Sequence, residues 1–371
     1  MPGLPDLLAE ANRQLTICNA CRYCEGYCAV FPALERRSIL REGDLALLAN
    51  LCHDCRACYQ ACMYAPPHEF GVNVPALLSR GRLESYRRYA WPGAFASLFD
   101  HPRWAAAGAS LLIGVLALFA VVVRTGVRGL VAAQTGPGAF YRLIAYELMV
   151  PAGLTLSAAA LTVLVGGFYR LWREAGGSGR QLLDLGLWAG ALSDAAQLRY
   201  LRGGGGGCHY PDPARPAQAR PAHHHVLVAG FALAFAATVT AAFEQDVLGL
   251  MPPYPILSAP VLLGIAGGLF VMAGAGGLLA LKRRERAAAP DLAGPGIRAL
   301  DVAFLVLVES VAVTGLLLLV VRATPAMGPL LVAHLGAVGG LFVTAPYGKF
   351  VHAIHRFAAL VRDRAESAEA R

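Results

Sequence analysis

The cysteines carry the clearest chemical signal in this chain, because eight of the nine form two copies of one spacing pattern. In each copy the four cysteines are separated by two, two and three residues. Bacterial ferredoxins hold two [4Fe–4S] clusters with this spacing, since three close thiolates bind one cluster and the fourth binds the other. The sequence therefore predicts two clusters, each taking its fourth ligand from the other copy. The first ligand set is Cys18, Cys21, Cys24 and Cys62, and the second is Cys52, Cys55, Cys58 and Cys28.

Two other uses of clustered cysteines fit the sequence less well. Structural zinc sites favour two separated cysteine pairs, whereas here four cysteines fall within eleven residues. A disulfide framework is typical of small secreted domains, and residues 1–50 contain no apolar stretch like that of a signal peptide. The ninth cysteine, Cys208, lies far along the chain from both copies, and we expect it to be a free thiol.

The rest of the chain is too apolar for a soluble protein of its length. Of 371 residues, 56% are hydrophobic and only 15% are charged. Apolar runs of about 18 or more residues predict membrane-spanning helices, and they lack the polar faces that helices of a globular core would show. Six runs qualify: Trp104–Val123, Leu148–Tyr169, Val226–Phe243, Ile256–Leu281, Leu300–Val321 and Leu330–Tyr347.

The positive charges predict how these spans are oriented. Arginines and lysines concentrate between spans two and three and between spans four and five, whereas the alternate loops carry few. The positive-inside rule then places both termini and the cysteine-rich segment in the cytoplasm of a bacterial inner membrane. This pattern accounts for the net charge of +8 without a nucleic-acid partner, since no basic patch is interleaved with aromatic residues.

The predicted architecture is mainly α-helical, with a ferredoxin-like head in front of a six-helix membrane bundle. Residues 1–90 form the 2[4Fe–4S] head, 91–169 the first two spans, 170–222 a cytoplasmic insertion, 223–348 spans three to six, and 349–371 a cytoplasmic tail. Within the insertion, Leu182–Leu201 predicts a helix lying on the membrane interface, and Gly203–Gly207 a flexible hinge. No glycine-rich loop follows a strand, so we expect the chain to lack a flavin or nicotinamide site of its own.

Histidines in the membrane half predict haem ligation. His334 and His352 are 18 residues apart, which on one continuous helix places them on the same face about 27 Å apart. Span three begins, and span six ends, on the cytoplasmic side, so His224 or His225 can face His352 and form a bis-histidine b-type site. His334 lacks a histidine partner near the end of span three, which makes a second haem doubtful. The alternatives are a hydrated cluster of interfacial histidines and, for His334, a hydrogen bond between helices.

The residues before His352 suit a flat cofactor. Gly348 permits close approach of the backbone to a macrocycle. Lys349 could contact a haem propionate or a quinone oxygen, although snorkelling towards the lipid headgroups explains it equally well. Glu309 lies in the middle of span five, where a carboxylate needs a partner, and it suggests a proton route or a hydrogen bond to a neighbouring helix.

Over residues 12–360 the chain resembles the tricarballylate and citrate utilization protein B group, which also occurs fused behind a flavin domain in a cobalamin-synthesis protein. The resemblance rests on the paired cysteine runs and four later motifs: Tyr64–Phe70, Gly203–Cys208, His224-His225 with Gly230-Phe231, and Pro346–His352. The last span is more distantly similar to the haem b subunits of respiratory nitrate reductases. The resemblance implies cluster ligation by the cysteines and haem ligation by His225 and His352, while Gln245 stands where the family has a histidine.

What the resemblance implies in function is an electron conduit. A partner FAD-dependent dehydrogenase of the tricarballylate or citrate type would be reoxidised through the clusters and haem to membrane quinone. No nucleophile–base pair is recognisable in this chain, so substrate dehydrogenation falls to the partner. Two alternatives remain open: a quinol-oxidising subunit that feeds a cytoplasmic reductase, and a transporter or sensor with a redox-regulated head. The spans show no repeated half of the kind that transporters have.

Overall fold

The computed structural model describes residues 4–202, 207–212, 215–288 and 295–370. These ranges contain helices and connecting loops and no β-strand beyond one isolated bridge between Cys208 and Ala217. Most of the predicted hinge, residues 203–206, lies outside them. The mainly α-helical fold class is confirmed.

Five short helices build the head: α1 (Leu4–Cys21), α2 (Val30–Glu35), α3 (Glu42–Leu51), α4 (Ala57–Gln60) and α5 (Val74–Tyr89). The helix α3 is buried along nearly its whole length and is the centre of the head's apolar core. Local signals set the start of α5, because the Asn73 side chain accepts a hydrogen bond from the Ala76 amide at 3.1 Å and Pro75 occupies the first turn.

Six helices in the described ranges are long and apolar enough to cross a membrane. These helices match the six predicted spans. Most are longer than the predicted spans, because the helix continues through polar residues beyond the apolar run. Two short helices, α7 (Ala139–Leu143) and α9 (Gly179–Leu182), and the longer α10 (Leu185–Ala196) lie between spans. The spans are α6 (Pro102–Leu130), α8 (Tyr146–Glu174), α11 (Ala219–Asp246), α12 (Ala259–Ala288), α13 (Pro295–Val321) and α14 (Met327–Thr344).

Glycines allow α11 and α12 to pack closely. A Cβ atom at Gly274 of α12 would lie 2.5 Å from the Leu227 backbone nitrogen of α11, and one at Gly267 would lie 2.7 Å from the Ala234 nitrogen. Since lipid tails are as apolar as leucine, helices in a membrane associate through such close van der Waals contact. The small residues therefore hold α11, which carries the histidine triplet, in a fixed position.

The prediction that one continuous helix carries His334 and His352 is wrong. After α14 ends at Thr344 the chain makes a 3-10 turn over Ala345–Tyr347, and a new helix, α15 (Val351–Glu369), begins beyond it. Pro346 has no N–H to continue the ladder of hydrogen bonds, and Gly348 is extended, with φ −130° and ψ −164°. The spacing of 18 residues therefore does not place the two histidines on one helix face.

The segment predicted as a tail is the helix α15, which packs against the head. Asp363 lies 2.5 Å from Arg36 Nη2, and Glu366 lies 2.6 Å from Arg37 Nη2. The insertion helix α10 packs on the other side of α15, where Trp188 meets Phe357 with ring centres 5.4 Å apart. The first and last parts of the chain thus form one unit at one end of the bundle, which we call the head side.

Candidate iron–sulfur and haem sites

The first cysteine set surrounds one cavity at the outer surface of the head. The end of α1, the turn that follows it and the chain after α4 supply its four thiols: Cys18, Cys21, Cys24 and Cys62. Arg22 makes this turn possible by adopting φ 54°, which leads the chain out of α1. Cys21 is exposed to solvent, and the exposed side chains of Tyr23 and Met63 flank it.

The second cysteine set surrounds a separate, deeper cavity. It consists of Cys28, Cys52, Cys55 and Cys58. Cys52 and Cys55 are buried, and the loop that carries them turns through Asp54 and Arg56, both in the left-handed region with φ 53° and 64°. Cys58 also borders the first cavity, so the two cavities are neighbours. All four cysteines of each predicted set thus line one cavity, and the assignment of ligands to two clusters stays a prediction.

The donor chemistry of both cavities fits polynuclear iron. No three histidine, cysteine or acidic side chains in the described ranges converge closely enough for a single metal ion. The thiols of the two predicted sets line two cavities, and cluster binding by them stays a prediction. Burial raises the pKa of Cys18 to about 12, and the nearby Cys62, Cys24 and Cys21 add to the rise. Four crowded thiolates need a compensating positive charge, which iron supplies.

Three arginines from α5, α11 and α15 donate hydrogen bonds to backbone carbonyls in and just before the loop of the second set. Arg356 of α15 donates to the Cys52 carbonyl at 2.8 Å, and Arg220 of α11 donates to the Asp54 carbonyl at 2.8 Å. Arg82 of α5 donates to the Ala49 carbonyl at 2.9 Å and also to that of Cys52. The buried loop is thereby tied by charge-assisted hydrogen bonds to α15 and to the first turn of α11.

His53, between two cysteines of this loop, is 5% exposed. Its Nδ1 accepts a hydrogen bond from Arg356 Nη1 at 3.0 Å, because a guanidinium can only donate. Burial and the Arg356 charge lower the pKa of His53, so the ring is neutral with its proton on Nε2. Arg356 therefore links the cysteine loop to the helix that carries His352.

A buried ionic cluster joins the head to the bundle next to this loop. Arg56 of the cysteine loop pairs with Glu285 of α12, and both side chains are fully buried. The Tyr210 hydroxyl donates to Glu285 at 2.8 Å. Asp301 of α13 lies between two lysines, with Lys282 at 2.5 Å and Lys349 at 2.6 Å. Lys349 is thus ion-paired to Asp301 and does not snorkel towards the lipid headgroups, while its contact with a cofactor stays a prediction.

The imidazoles of His224 and His352 face each other on the head side of the bundle. Their ring centres are 6.3 Å apart and their planes are 89° apart. Histidine nitrogens lie about 2 Å from a bound metal and about 1 Å from their own ring centre, so two imidazoles on opposite sides of one iron have centres roughly 6 Å apart. His352 Nδ1 donates to the Lys349 carbonyl at 2.6 Å, which leaves Nε2 free for a metal. Nδ1 of His224 is buried without a hydrogen-bond partner. The pair fits bis-histidine ligation.

The remaining candidate histidines lie elsewhere. His225 is exposed and donates from Nε2 to the Ala196 carbonyl at 2.9 Å, so the geometry favours its neighbour as the partner of His352. His334 Nδ1 lies 2.9 Å from the Thr314 hydroxyl of α13, which is the interhelical hydrogen bond considered as its alternative role. His355 is buried against Tyr86 and Tyr89 and makes no ring contact with His224 of the kind that His352 makes.

Comparison with known proteins agrees with this combination of head and bundle. The family model described as citrate utilization protein B matches residues 102–371, and the one described as the citrate utilization protein B Fer4-like domain matches residues 11–88. The chain belongs to the citrate utilization protein B family. Citrate utilization protein B of Escherichia coli is 39% identical over 355 residues, which are 95% of this chain and 91% of that relative. No solved structure matches the chain.

The residues of this family member that sequence reasoning missed are those that join the head to the bundle. Arg56 and His53 stand between cysteines in the run Cys52–Cys58, and an arginine and a histidine inside a cysteine loop were an available signal. Glu285 and Asp301 gave no comparable signal, since they lie among the charges that flank membrane spans. Their role depends on a tertiary arrangement that no local pattern encodes.

Proposed function

We propose that this citrate utilization protein B family member is a membrane-bound electron-transfer subunit. It passes electrons from a FAD-dependent dehydrogenase of the tricarballylate or citrate type, through two [4Fe–4S] clusters and a b-type haem, to membrane quinone. The observation that carries the proposal is the order of the sites. Cys21 of the first set is exposed, Cys52 and Cys55 of the second set are buried, and Arg356 connects the loop of the second set to the helix that carries His352.

Exposure assigns a role to each cysteine set. The first set, with exposed Cys21 beside Tyr23 and Met63, is the part of the chain that a flavoprotein could approach. In the second set Cys52 and Cys55 are buried, and the Cys52 carbonyl accepts a hydrogen bond from Arg356, four residues beyond His352 on α15. Electrons arriving from a soluble partner would therefore reach the first set before the second, and the second before the histidine pair.

The chain's own residues hold the haem site in place. Lys349 fixes His352 by accepting its Nδ1–H through the backbone, and α12 fixes His224 through its close packing with α11. A bound haem would supply reversible one-electron chemistry between these rings. The positive-inside distribution supports a cytoplasmic head in the inner membrane of a bacterium. The name of the E. coli relative supports a tricarboxylate as the substrate of the partner.

Optical spectroscopy of protein purified and reconstituted without oxygen tests the proposal. We expect broad iron–sulfur absorbance and sharp b-haem bands on reduction. A His352→Ala variant should lose the haem bands and keep the iron and acid-labile sulfide of the clusters, whereas His101→Ala, which changes an exposed histidine, should keep both. Stoichiometric zinc without sulfide in the wild type, or unchanged haem bands in His352→Ala, contradicts the proposal.

Anaerobic mixing with the flavoprotein tests the direction of electron flow. In the presence of the co-encoded flavoprotein and its carboxylic acid, haem reduction should require both, and a quinone analogue should reverse it. Haem reduction by quinol alone, with no effect of the flavoprotein, favours the opposite direction.

A further inference from the structure

The surroundings of the first cysteine set carry almost no net charge. No charged side chain lines its cavity. The turn between its cysteines contains Arg22 and Glu25, whose charges are opposite, and Cys21 is exposed to solvent. Water and dissolved ions screen charges at an exposed site. The first set therefore lies in surroundings that are close to neutral and well screened.

The second set, in contrast, has three guanidinium groups at its loop. Arg356 donates to the Cys52 carbonyl at 2.8 Å, Arg82 donates to the same carbonyl, and Arg220 donates to the Asp54 carbonyl at 2.8 Å. In the part of the chain that the structure describes, none of the three arginines forms a salt bridge with a carboxylate. Their positive charges are therefore not matched by acidic partners.

The neighbouring ionic cluster does not cancel these charges, because its own charges already balance. Each of its three carboxylates has a cation of the same cluster within 3.6 Å. Its members are Arg56, Lys282, Lys349, Asp54, Glu285 and Asp301. The three arginines at the cysteine loop are thus an excess of positive charge beside the second set.

This difference in charge bears on how easily a cluster at each set accepts an electron. The reduction potential of an iron–sulfur cluster depends on net charge, hydrogen bonds and exposure. Reduction adds one negative charge, and the burial of Cys52 and Cys55 alone would make that addition harder. The same low dielectric strengthens the attraction of nearby cations. Since three unmatched cations act on one added charge, the attraction exceeds the effect of burial.

We propose that Arg82, Arg220 and Arg356 raise the reduction potential of the cluster at the second set above that of the cluster at the first set. The inference rests on the proposed function, because it assumes that each cysteine set holds a [4Fe–4S] cluster. One electron then passes from the first cluster, which is oxidised, to the second, which is reduced, and no proton moves. The arginines thereby direct electrons towards the helix that carries His352.

A redox titration of the full-length protein, reconstituted with iron and sulfide without oxygen, tests the order of the two potentials. Low-temperature electron paramagnetic resonance follows the reduced clusters. We expect two one-electron steps in the wild type. Cys21→Ser, which replaces a thiol of the first set, should shift or remove the step at lower potential and leave the upper step unchanged.

Charge variants test whether the arginines set the upper step. Arg356→Gln and Arg220→Gln should each lower the equilibrium constant for that step at least tenfold, which corresponds to about 59 mV for one electron. Arg356→Lys keeps the positive charge and should stay within threefold of the wild type, which a merely structural role of the guanidinium would not explain. The matched control is Arg362→Gln, which removes a guanidinium of the same helix that donates to the Ala175 carbonyl at 3.0 Å. Both steps should be unchanged in this control.

The inference is overturned if Cys21→Ser alters the upper step instead of the lower one. It is also overturned if Arg356→Gln and Arg220→Gln both leave the upper step within threefold of the wild type. If one of these variants does not retain its second cluster, the other variant and the wild-type order still decide. Protein without acid-labile sulfide contradicts the proposed function itself, whereas two clusters with the reverse order contradict only the role of the arginines.

Discussion

Replacing Glu285 should weaken the attachment of the head to the membrane bundle more than any change to an exposed ion pair. Glu285 and Arg56 are both fully buried, and Tyr210 adds a hydrogen bond at 2.8 Å. In Glu285→Ala the guanidinium keeps one acidic neighbour, Asp54 at 3.6 Å, and the face of the Tyr210 ring, whose centre lies 5.0 Å away. Leaving one member of a buried pair unmatched costs about 3–5 kcal/mol.

Thermal unfolding in detergent, followed by intrinsic fluorescence, measures this loss. Domains of 150–250 residues lose roughly 2–4 °C of melting temperature per kcal/mol, so we expect a fall on the order of 10 °C for Glu285→Ala. The matched control is Glu84→Ala, which removes a partly exposed pair with Arg87 at 3.5 Å. Exposed pairs contribute about 0–1 kcal/mol, so its melting temperature should change by a few degrees at most.

The double replacement Arg56→Met with Glu285→Leu tests whether the unpaired charge of Arg56 causes the loss of stability. Apolar side chains of similar volume often replace a buried ion pair at little cost, so the double variant should be more stable than Glu285→Ala alone. The explanation is refuted if Glu285→Ala melts within 2 °C of the wild type, a margin that corresponds to about 1 kcal/mol. It also fails if the losses of the two single variants simply add in the double variant.

Further outcomes can be checked with similar material. His224→Ala should lose haem and His225→Ala should keep it in a pyridine haemochrome assay, and the opposite result would assign the ligand to His225. At Gly274 a Cβ atom would already lie 2.5 Å from the Leu227 nitrogen. Gly274→Leu should therefore lower the melting temperature by the equivalent of about 1–3 kcal/mol. An unchanged melting temperature contradicts the close packing of α11 and α12. Cys208 is fully buried, and burial raises the pKa of its thiol. Iodoacetamide should therefore modify Cys208 only after denaturation. Rapid labelling of Cys208 in the native protein would show that the thiol is accessible.

Local sequence patterns were sufficient for the elements that depend on short-range chemistry. Cysteine spacing predicted which cysteines line each of the two cavities, because a cluster constrains its ligands within a few residues of one another, and their ligation of two clusters stays a prediction. Apolar runs predicted all six spans, since a bilayer requires long hydrophobic segments. Ligand spacing and apolar length are both requirements on residues that are close together in the sequence.

Predictions failed where a backbone irregularity or a distant partner decides the result. The spacing between His334 and His352 assumed a continuous helix, and the break at Pro346 and Gly348 removed that assumption. Choosing between His224 and His225 requires the rotation of α11 about its axis, which its glycine contacts with α12 determine. The ion pair of Lys349 with a residue 48 positions away could not be read from the residues around it.

The packing of α15 on the head has a consequence for how the protein is made. The cysteine loops leave the ribosome early, but Arg356, Asp363 and Glu366, which brace them and the neighbouring helices, are translated only after all six spans. During synthesis the cysteine loops are therefore accessible to machinery that would deliver iron and sulfide to the proposed clusters. The last helix then packs against them, so a bulky fusion placed after it threatens this packing more than membrane insertion.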